Sequence, residues 1–79
     1  MLKLLYFASL VDRLGCASEQ LDLDHIVDVR ALVNALKARG GAWEEVFSRG
    51  VLRITVNKQF AELNTPLQRG DEVAFISAN

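Results

Sequence analysis

Asp28-Val29-Arg30-Ala31-Leu32-Val33-Asn34-Ala35-Leu36-Lys37-Ala38-Arg39-Gly40 is the stretch on which the fold turns. Val29, Leu32, Val33 and Leu36 fall at i, i+3, i+4 and i+7, which puts them on one stripe of an α-helix. Asp28 stands where an N-cap is wanted, and its carboxylate suits the positive end of the helix dipole. Lys37 and Arg39 sit in the last turn, where cations are favoured, and Gly40 can take the left-handed position that ends a helix. A helix with a single apolar stripe must bury it against another element, so the flanking segments decide the architecture.

Upstream, residues 2–8 (Leu-Lys-Leu-Leu-Tyr-Phe-Ala) are short, apolar and partly alternating, and predict a central strand. Residues 9–14 predict one or two helical turns, with Ser9 as N-cap and Gly15 as stop. Residues 18–24 alternate, with Leu21 and Leu23 apolar, as a half-exposed edge strand does. Lys3 and the acidic positions of that second strand oppose edge-to-edge pairing. Downstream, residues 42–48 predict a second, short helical turn with Trp43, Val46 and Phe47 on one side. In residues 51–57, Leu52, Ile54 and Val56 face one way and Arg53, Thr55 and Asn57 the other. Asn57-Lys58 is a tight-turn pair, because Asn tolerates positive φ, and Gln59–Glu62 would return beside the previous strand. Asn64-Thr65-Pro66-Leu67 reads as a loop, and Gly70-Asp71 turns into a last strand, 72–76. This order predicts an α+β fold, a mixed sheet of four to five strands with one main helix packed across it. That is the β-grasp, or ubiquitin-like, architecture, formed as a single domain over residues 1–79.

Composition narrows the function. Of 79 residues, 51% are hydrophobic, enough to fold and too many for a disordered polar tail. Nine Lys and Arg against ten Asp and Glu give a net charge of −1, without the basic excess expected of a nucleic-acid binder. Cys16 is the only cysteine, so an intrachain disulfide and a Cys₂His₂ or Cys₄ zinc site are excluded, and a cytoplasmic location is expected. Met1–Phe7 lacks the charged and long apolar regions of a signal peptide. No run approaches the roughly 18–20 apolar residues that span a bilayer, so no membrane partner is expected.

Catalysis by the chain itself is not expected, and neither is a cofactor. His25 is the only histidine and has no sequence neighbour suited to a nucleophile or orienting group, so it reads as a surface or capping residue. Cys16 follows Gly15 before an apolar strand, with no adjacent cation to lower its pKa, and reads as small packing filler. Glu44-Glu45 and Asp71-Glu72 are sequence neighbours whose side chains diverge, as solvated charges do. Gly40-Gly41 belongs to no phosphate-binding motif and reads as a helix stop.

The opening Met1-Leu-Lys-Leu-Leu-Tyr-Phe-Ala, the turn to Gly15, Val51-Leu-Arg-Ile-Thr-Val-Asn57, Pro66-Leu67 and Gly70-Asp-Glu-Val-Ala-Phe75 resemble the MoaD family, small subunits of molybdopterin synthase. The resemblance runs from end to end of the chain. ThiS, the sulfur carrier of thiazole synthesis, shares the fold and a similar late Gly-Asp-x-Val. In that family a C-terminal tail ending in Gly-Gly carries the sulfur. An E1-like, MoeB-type enzyme adenylates its carboxylate, a sulfur donor converts it to a thiocarboxylate, and the MoaE-type large subunit accepts the tail. The resemblance therefore implies a non-catalytic sulfur-carrier subunit in molybdenum cofactor biosynthesis, with those two proteins as partners. It also implies a docking patch of Phe7, Phe60, Phe75 and Ile76 near the C-terminal end of the sheet.

One departure falls at the chain end, which reads Ile76-Ser77-Ala78-Asn79 where the family runs on to Gly-Gly. The expectation is that this 79-residue chain docks but takes no thiocarboxylate. The alternatives are a ubiquitin-like binding module without transfer activity and a ThiS-like carrier.

Overall fold

The computed structural model describes residues 1–22, 24–49 and 52–77. The strand positions expected for Leu23 and Val51, the facing of the Leu52 side chain and the final Ala78-Asn79 lie outside it. Along the chain the elements are β1 (Leu2–Phe7), α1 (Ser9–Leu14), β2 (Ser18–Leu21), α2 (Val29–Lys37), α3 (Ala42–Ser48), β3 (Leu52–Val56), β4 (Gln59–Phe60) and β5 (Glu72–Ser77). Five strands make one sheet in the order β2-β1-β5-β3-β4. β1 and β5 run parallel in its middle, and every other pair is antiparallel. This mixed sheet, with helices across one face, is the β-grasp that the element order predicts.

The decisive helix forms as its spacing requires. Asp28 Oδ1 accepts a hydrogen bond from the Ala31 N–H at 2.8 Å, satisfying one of the otherwise orphaned donors of the first turn. Val29, Leu32 and Leu36 are fully buried. The regular helix stops at Lys37 with Ala38 as its cap, and Gly40 takes the left-handed conformation two residues later (φ 78°). The other helix ends differ more from expectation. Ser9 is the first residue of α1 and not its N-cap. The cap is Ala8, at φ 57° and ψ −136°, without a side-chain bond to the helix. Gly41 caps α3 with almost the same backbone, φ 57° and ψ −131°. Gly15 ends α1 in the left-handed region, as its position suggests.

Two strands are shorter than their patterns imply. β2 ends at Leu21 and β4 holds only Gln59 and Phe60. Asn57 and Lys58 both take positive φ, 52° and 71°, so the β3–β4 turn forms as predicted from its residues. Pro66 forms an isolated bridge to Asp28, and Leu67 is buried beneath the same loop.

Helices and sheet meet over Leu2, Leu4, Tyr6, Val73 and Phe75 from the central strands and Leu10, Leu32, Leu36, Val46 and Phe47 from the helices. Aromatic rings form the middle of this layer. Tyr6 stacks on Phe75 at 5.7 Å between centroids, Phe47 meets Phe75 edge-on at 5.1 Å, and Trp43 meets Tyr6 edge-on at 5.4 Å. α3, expected as an accessory turn, therefore supplies two of the four rings of this layer, and Tyr6 and Phe75 of the sheet supply the others.

Candidate docking face

The pleat of the sheet gives it two unlike faces, because successive side chains on a strand point to opposite sides. Helices cover the inner one. The outer, open face is made of residues that are paired laterally in register and so fall into rows. At the end where β1 and β5 both finish, Phe7 pairs with Ile76 and Ile76 with Arg53. The next row runs Ser18, Leu5, Ala74, Thr55, Phe60. The third holds Gln20, Lys3 and Glu72.

The four residues expected at an interface divide on this geometry. Phe60 is 77% exposed and Phe7 44% exposed, and Ile76 is half-buried; all three lie on the open face. Phe75 does not. It sits one position along β5 from Ile76, hence on the opposite side of the pleat, and is fully buried against Tyr6 and Phe47. Phe75 is thus a core residue, which corrects its expected place in the patch. Leu5 and Ala74 join the open face instead. Their signal in the sequence was that Leu4-Leu5-Tyr6-Phe7 and Val73-Ala74-Phe75-Ile76 are apolar at consecutive positions, as strands are when neither face is wholly given to water.

His25 is exposed in a turn with φ 61°. Cys16 is half-buried, and burial, reinforced by the nearby Glu19 charge, raises its thiol pKa, the opposite of what a reactive thiolate needs. Glu45 pairs with both Arg13 (2.9 Å) and Arg49 (3.1 Å). Asp71 accepts from Asn57 Nδ2 and from the Gln68 N–H. Among the described residues no three His, Cys, Asp or Glu side chains converge to hold a metal.

A polar cluster that periodicity could not reveal closes the β2 edge of the sheet. Arg39 donates to both carboxylate oxygens of Glu19, at 2.9 and 2.7 Å. Its guanidinium also lies 4.4 Å from the Trp43 ring centroid, and Tyr6 Oη donates to Glu19 Oε2 at 2.9 Å. The paired guanidinium holds the Glu19 carboxyl below its ordinary range. Burial, and then the bond to Glu19, push the Tyr6 hydroxyl far above its own. The cluster ties β2 to the segment between α2 and α3, leaving the open face as the large uncovered surface of the sheet.

Residues 4–78 match the ThiS family. The chain belongs to that family. It is 32% identical over 75 residues to the molybdopterin synthase sulfur carrier subunit of Escherichia coli, covering 95% of this chain and 91% of that one. Among solved structures, the fold superposes on a molybdopterin converting factor subunit 1 from Pyrococcus furiosus with a TM-score of 0.80, at 24% identity over 99% of this chain and 97% of that one. It also superposes on a chain in the complex of subunits 1 and 2 of the molybdopterin-converting factor from Helicobacter pylori. That match has a TM-score of 0.69 and 21% identity, over 96% and 90% of the two chains. These superpositions match the β-grasp over nearly the whole chain. Among the described residues, no helix is long and apolar enough to cross a membrane.

Proposed function

We propose that this chain acts as a small-subunit sulfur carrier of the molybdopterin synthase type, working in the cytoplasm as one domain. In this proposal the open face docks on a MoaE-like large subunit and on a MoeB-like activating enzyme. One observation carries the reading: the apolar end row, Phe7 with Ile76, lies where β5 finishes. A partner seated on that row is in position to receive whatever follows β5. The relationship to the E. coli carrier subunit supports it. So does the Helicobacter pylori protein's occurrence in a complex of two subunits.

The chemistry asked of the chain is confined to its terminal carboxylate. Attack of that carboxylate on the α-phosphate of ATP releases pyrophosphate and gives an acyl adenylate. A persulfide donor then displaces AMP to give an acyl disulfide, and a thiol that attacks the donor's own sulfur releases the thiocarboxylate and leaves a donor–thiol disulfide. Hydrolytic transfer of the sulfur to an acceptor restores the carboxylate. The body of the domain contributes placement: a rigid sheet that fixes where the tail emerges, and a face that recognises each partner in turn.

The test follows from reach. In a polypeptide ending at Asn79 the carboxylate lies at most two residues, roughly 7 Å, beyond β5. Asparagine also brings a Cβ where glycine would leave a narrow channel free. With ATP, activating enzyme and sulfur donor, the 79-residue polypeptide should show no exchange of oxygen for sulfur by intact-protein mass spectrometry. The same chain extended to a family-like Gly-Gly end should show it. Sulfur on the unextended polypeptide would refute the reach argument. An extended chain that binds the large subunit yet stays unmodified would replace the carrier reading with that of a docking module. Sulfur that passes only to a thiazole-forming acceptor would move the chain to the ThiS branch.

A further inference from the structure

The charges in the rows of the open face come in opposite pairs. In the third row Lys3 stands in register with Glu72. At the β4 margin the Ala61 N–H donates to the Ile54 carbonyl at 3.0 Å, which carries the β3–β4 register on and sets Glu62 opposite Arg53. The middle row, Ser18, Leu5, Ala74, Thr55 and Phe60, carries no charge. With a net charge of only −1 on the whole chain, two copies approach one another against little repulsion. Lys3 and Glu72 do not close an ion pair within one chain: among the described residues the bridges are those of Arg13, Arg39 and Arg49. Both remain able to reach outward.

We infer that this face also binds a second copy of the chain, in a two-fold dimer whose axis runs between β1 and β5 and parallel to them, so that Lys3 of each copy meets Glu72 of the other. The arrangement follows from the order of the rows. An axis in that place exchanges β1 with β5 and leaves every row facing itself. Leu5 of one copy then covers Ala74 of the other, a large residue on a small one, and Phe7 covers Ile76. Each of these contacts occurs twice, as does the one between Lys3 and Glu72. Ser18 of β2 faces Thr55 of β3. Other axes centred on the same row lose this match. One along β5 sets Glu72 against Glu72, and one across the strands sets Lys3 against Phe7 and Glu72 against Ile76. Sheets packed in this way lie about 10 Å apart with nearly aligned strands, and the helices of both copies are outermost. Given the docking role proposed above, a second copy and a partner compete for one face, so self-association holds the carrier back from its partner.

Sedimentation velocity over a concentration series of the 79-residue chain reads the equilibrium between monomer and dimer. Lys3→Glu and Glu72→Lys should each raise the dimer dissociation constant at least about tenfold, because each sets like charges face to face at two contacts. An equimolar mixture of the two variants should associate more tightly than either alone, since each then presents the charge that the other lacks. Lys3→Gln, which puts no like charges side by side within one chain, should weaken the dimer by less and reduce its response to salt. It serves as the test should a charge reversal unfold the sheet. A native chain still monomeric at about 1 mM overturns the inference. So does a mixture no tighter than its components, or native association in Lys3→Gln at every salt concentration. Phe60→Ala separates this inference from the docking reading, because β4 has no facing strand in the dimer. It should leave the dimer unchanged while weakening capture by the large subunit of molybdopterin synthase. Weakened capture together with a monomeric native chain ends the inference and leaves the docking reading standing. An intact dimer together with undiminished capture by Phe60→Ala does the reverse.

Discussion

Asn57 and Asp71 lie fourteen positions apart, and Asn57 Nδ2 donates to Asp71 Oδ1 at 3.0 Å. The same asparagine's Oδ1 accepts the Glu72 N–H, also at 3.0 Å, and Asp71 Oδ2 accepts the Gln68 N–H at 2.8 Å. One side chain thus clips the β3–β4 turn to the turn that launches β5, and so sets where the central strand starts.

Asn57→Ala should therefore cost stability beyond its surface position. It removes two hydrogen bonds and places alanine at φ 52°. A loss of about 1–2 kcal/mol is expected in urea unfolding. Asn57→Gly relieves the backbone but not the bonds, and should fall between alanine and the native chain. Asn57→Asp sets one carboxylate against another and should not rescue.

The division of the aromatic residues between two faces gives opposite expectations for two substitutions. Phe75→Ala empties a fully enclosed site between Tyr6 and Phe47 and should cost about 3–5 kcal/mol by chemical denaturation. Phe60→Ala, at 77% exposure, should change stability by no more than roughly 0.5 kcal/mol while weakening capture by the large subunit. A Phe60→Ala chain that melts early and binds normally would return Phe60 to the fold and remove it from the interface.

The Tyr6–Glu19–Arg39 cluster predicts how stability responds to pH at both ends. Pairing with Arg39 depresses the folded pKa of Glu19. Its contribution is present above the unfolded carboxylate pKa of about 4.3 and lost as pH falls through the folded value. Tyr6 is raised, by burial first. Its contribution is intact below about pH 10 and declines above, where the unfolded chain ionises and the folded one does not. Glu19→Gln should flatten the acid limb and Tyr6→Phe the alkaline limb of a plot of unfolding free energy against pH.

Ala8 and Gly41 test backbone strain alone. They share one conformation ahead of two helices, in a region that glycine enters freely and alanine does not. Ala8→Gly should raise the free energy of unfolding, and Gly41→Ala should lower it by about 1 kcal/mol or more. A Cβ added at Gly41 would meet no atom within 4 Å, so a steric clash cannot be the reason. Equal midpoints for all three chains would show that neither position is strained.

What the sequence shows and what it hides divide along physical lines. The helix from Val29 was readable because four apolar residues and Asp28 sit within nine positions, and the Asn57-Lys58 turn because its residues favour positive φ. The length of β2 was not readable, since alternation at Leu21 and Leu23 says nothing about where pairing with β1 stops. Ser9 has the side chain that usually caps a helix, and nothing in the sequence marks Ala8 in its place. The resemblance places both Phe75 and Ile76 in the patch, and two neighbouring apolar residues do not reveal which points inward. That choice depends on the register with Tyr6 and Phe7, which lie some seventy positions earlier. The Glu19–Arg39 pair, twenty residues apart, leaves no periodic trace at all.

The parallel pairing of β1 with β5 has a consequence for how the molecule comes into being. The strand that separates β1 from β3 is last in sequence, and it carries Val73 and Phe75 into the centre of the core. During synthesis the first seventy residues leave the ribosome with no partner for the inner edge of β1 and an exposed apolar layer under α2. Completion of the core must wait until residues 72–77 are free of the exit tunnel. A ribosome-bound chain should thus stay protease-sensitive until residues 72–77 have emerged, and completing the sheet then closes the long loop between β1 and β5.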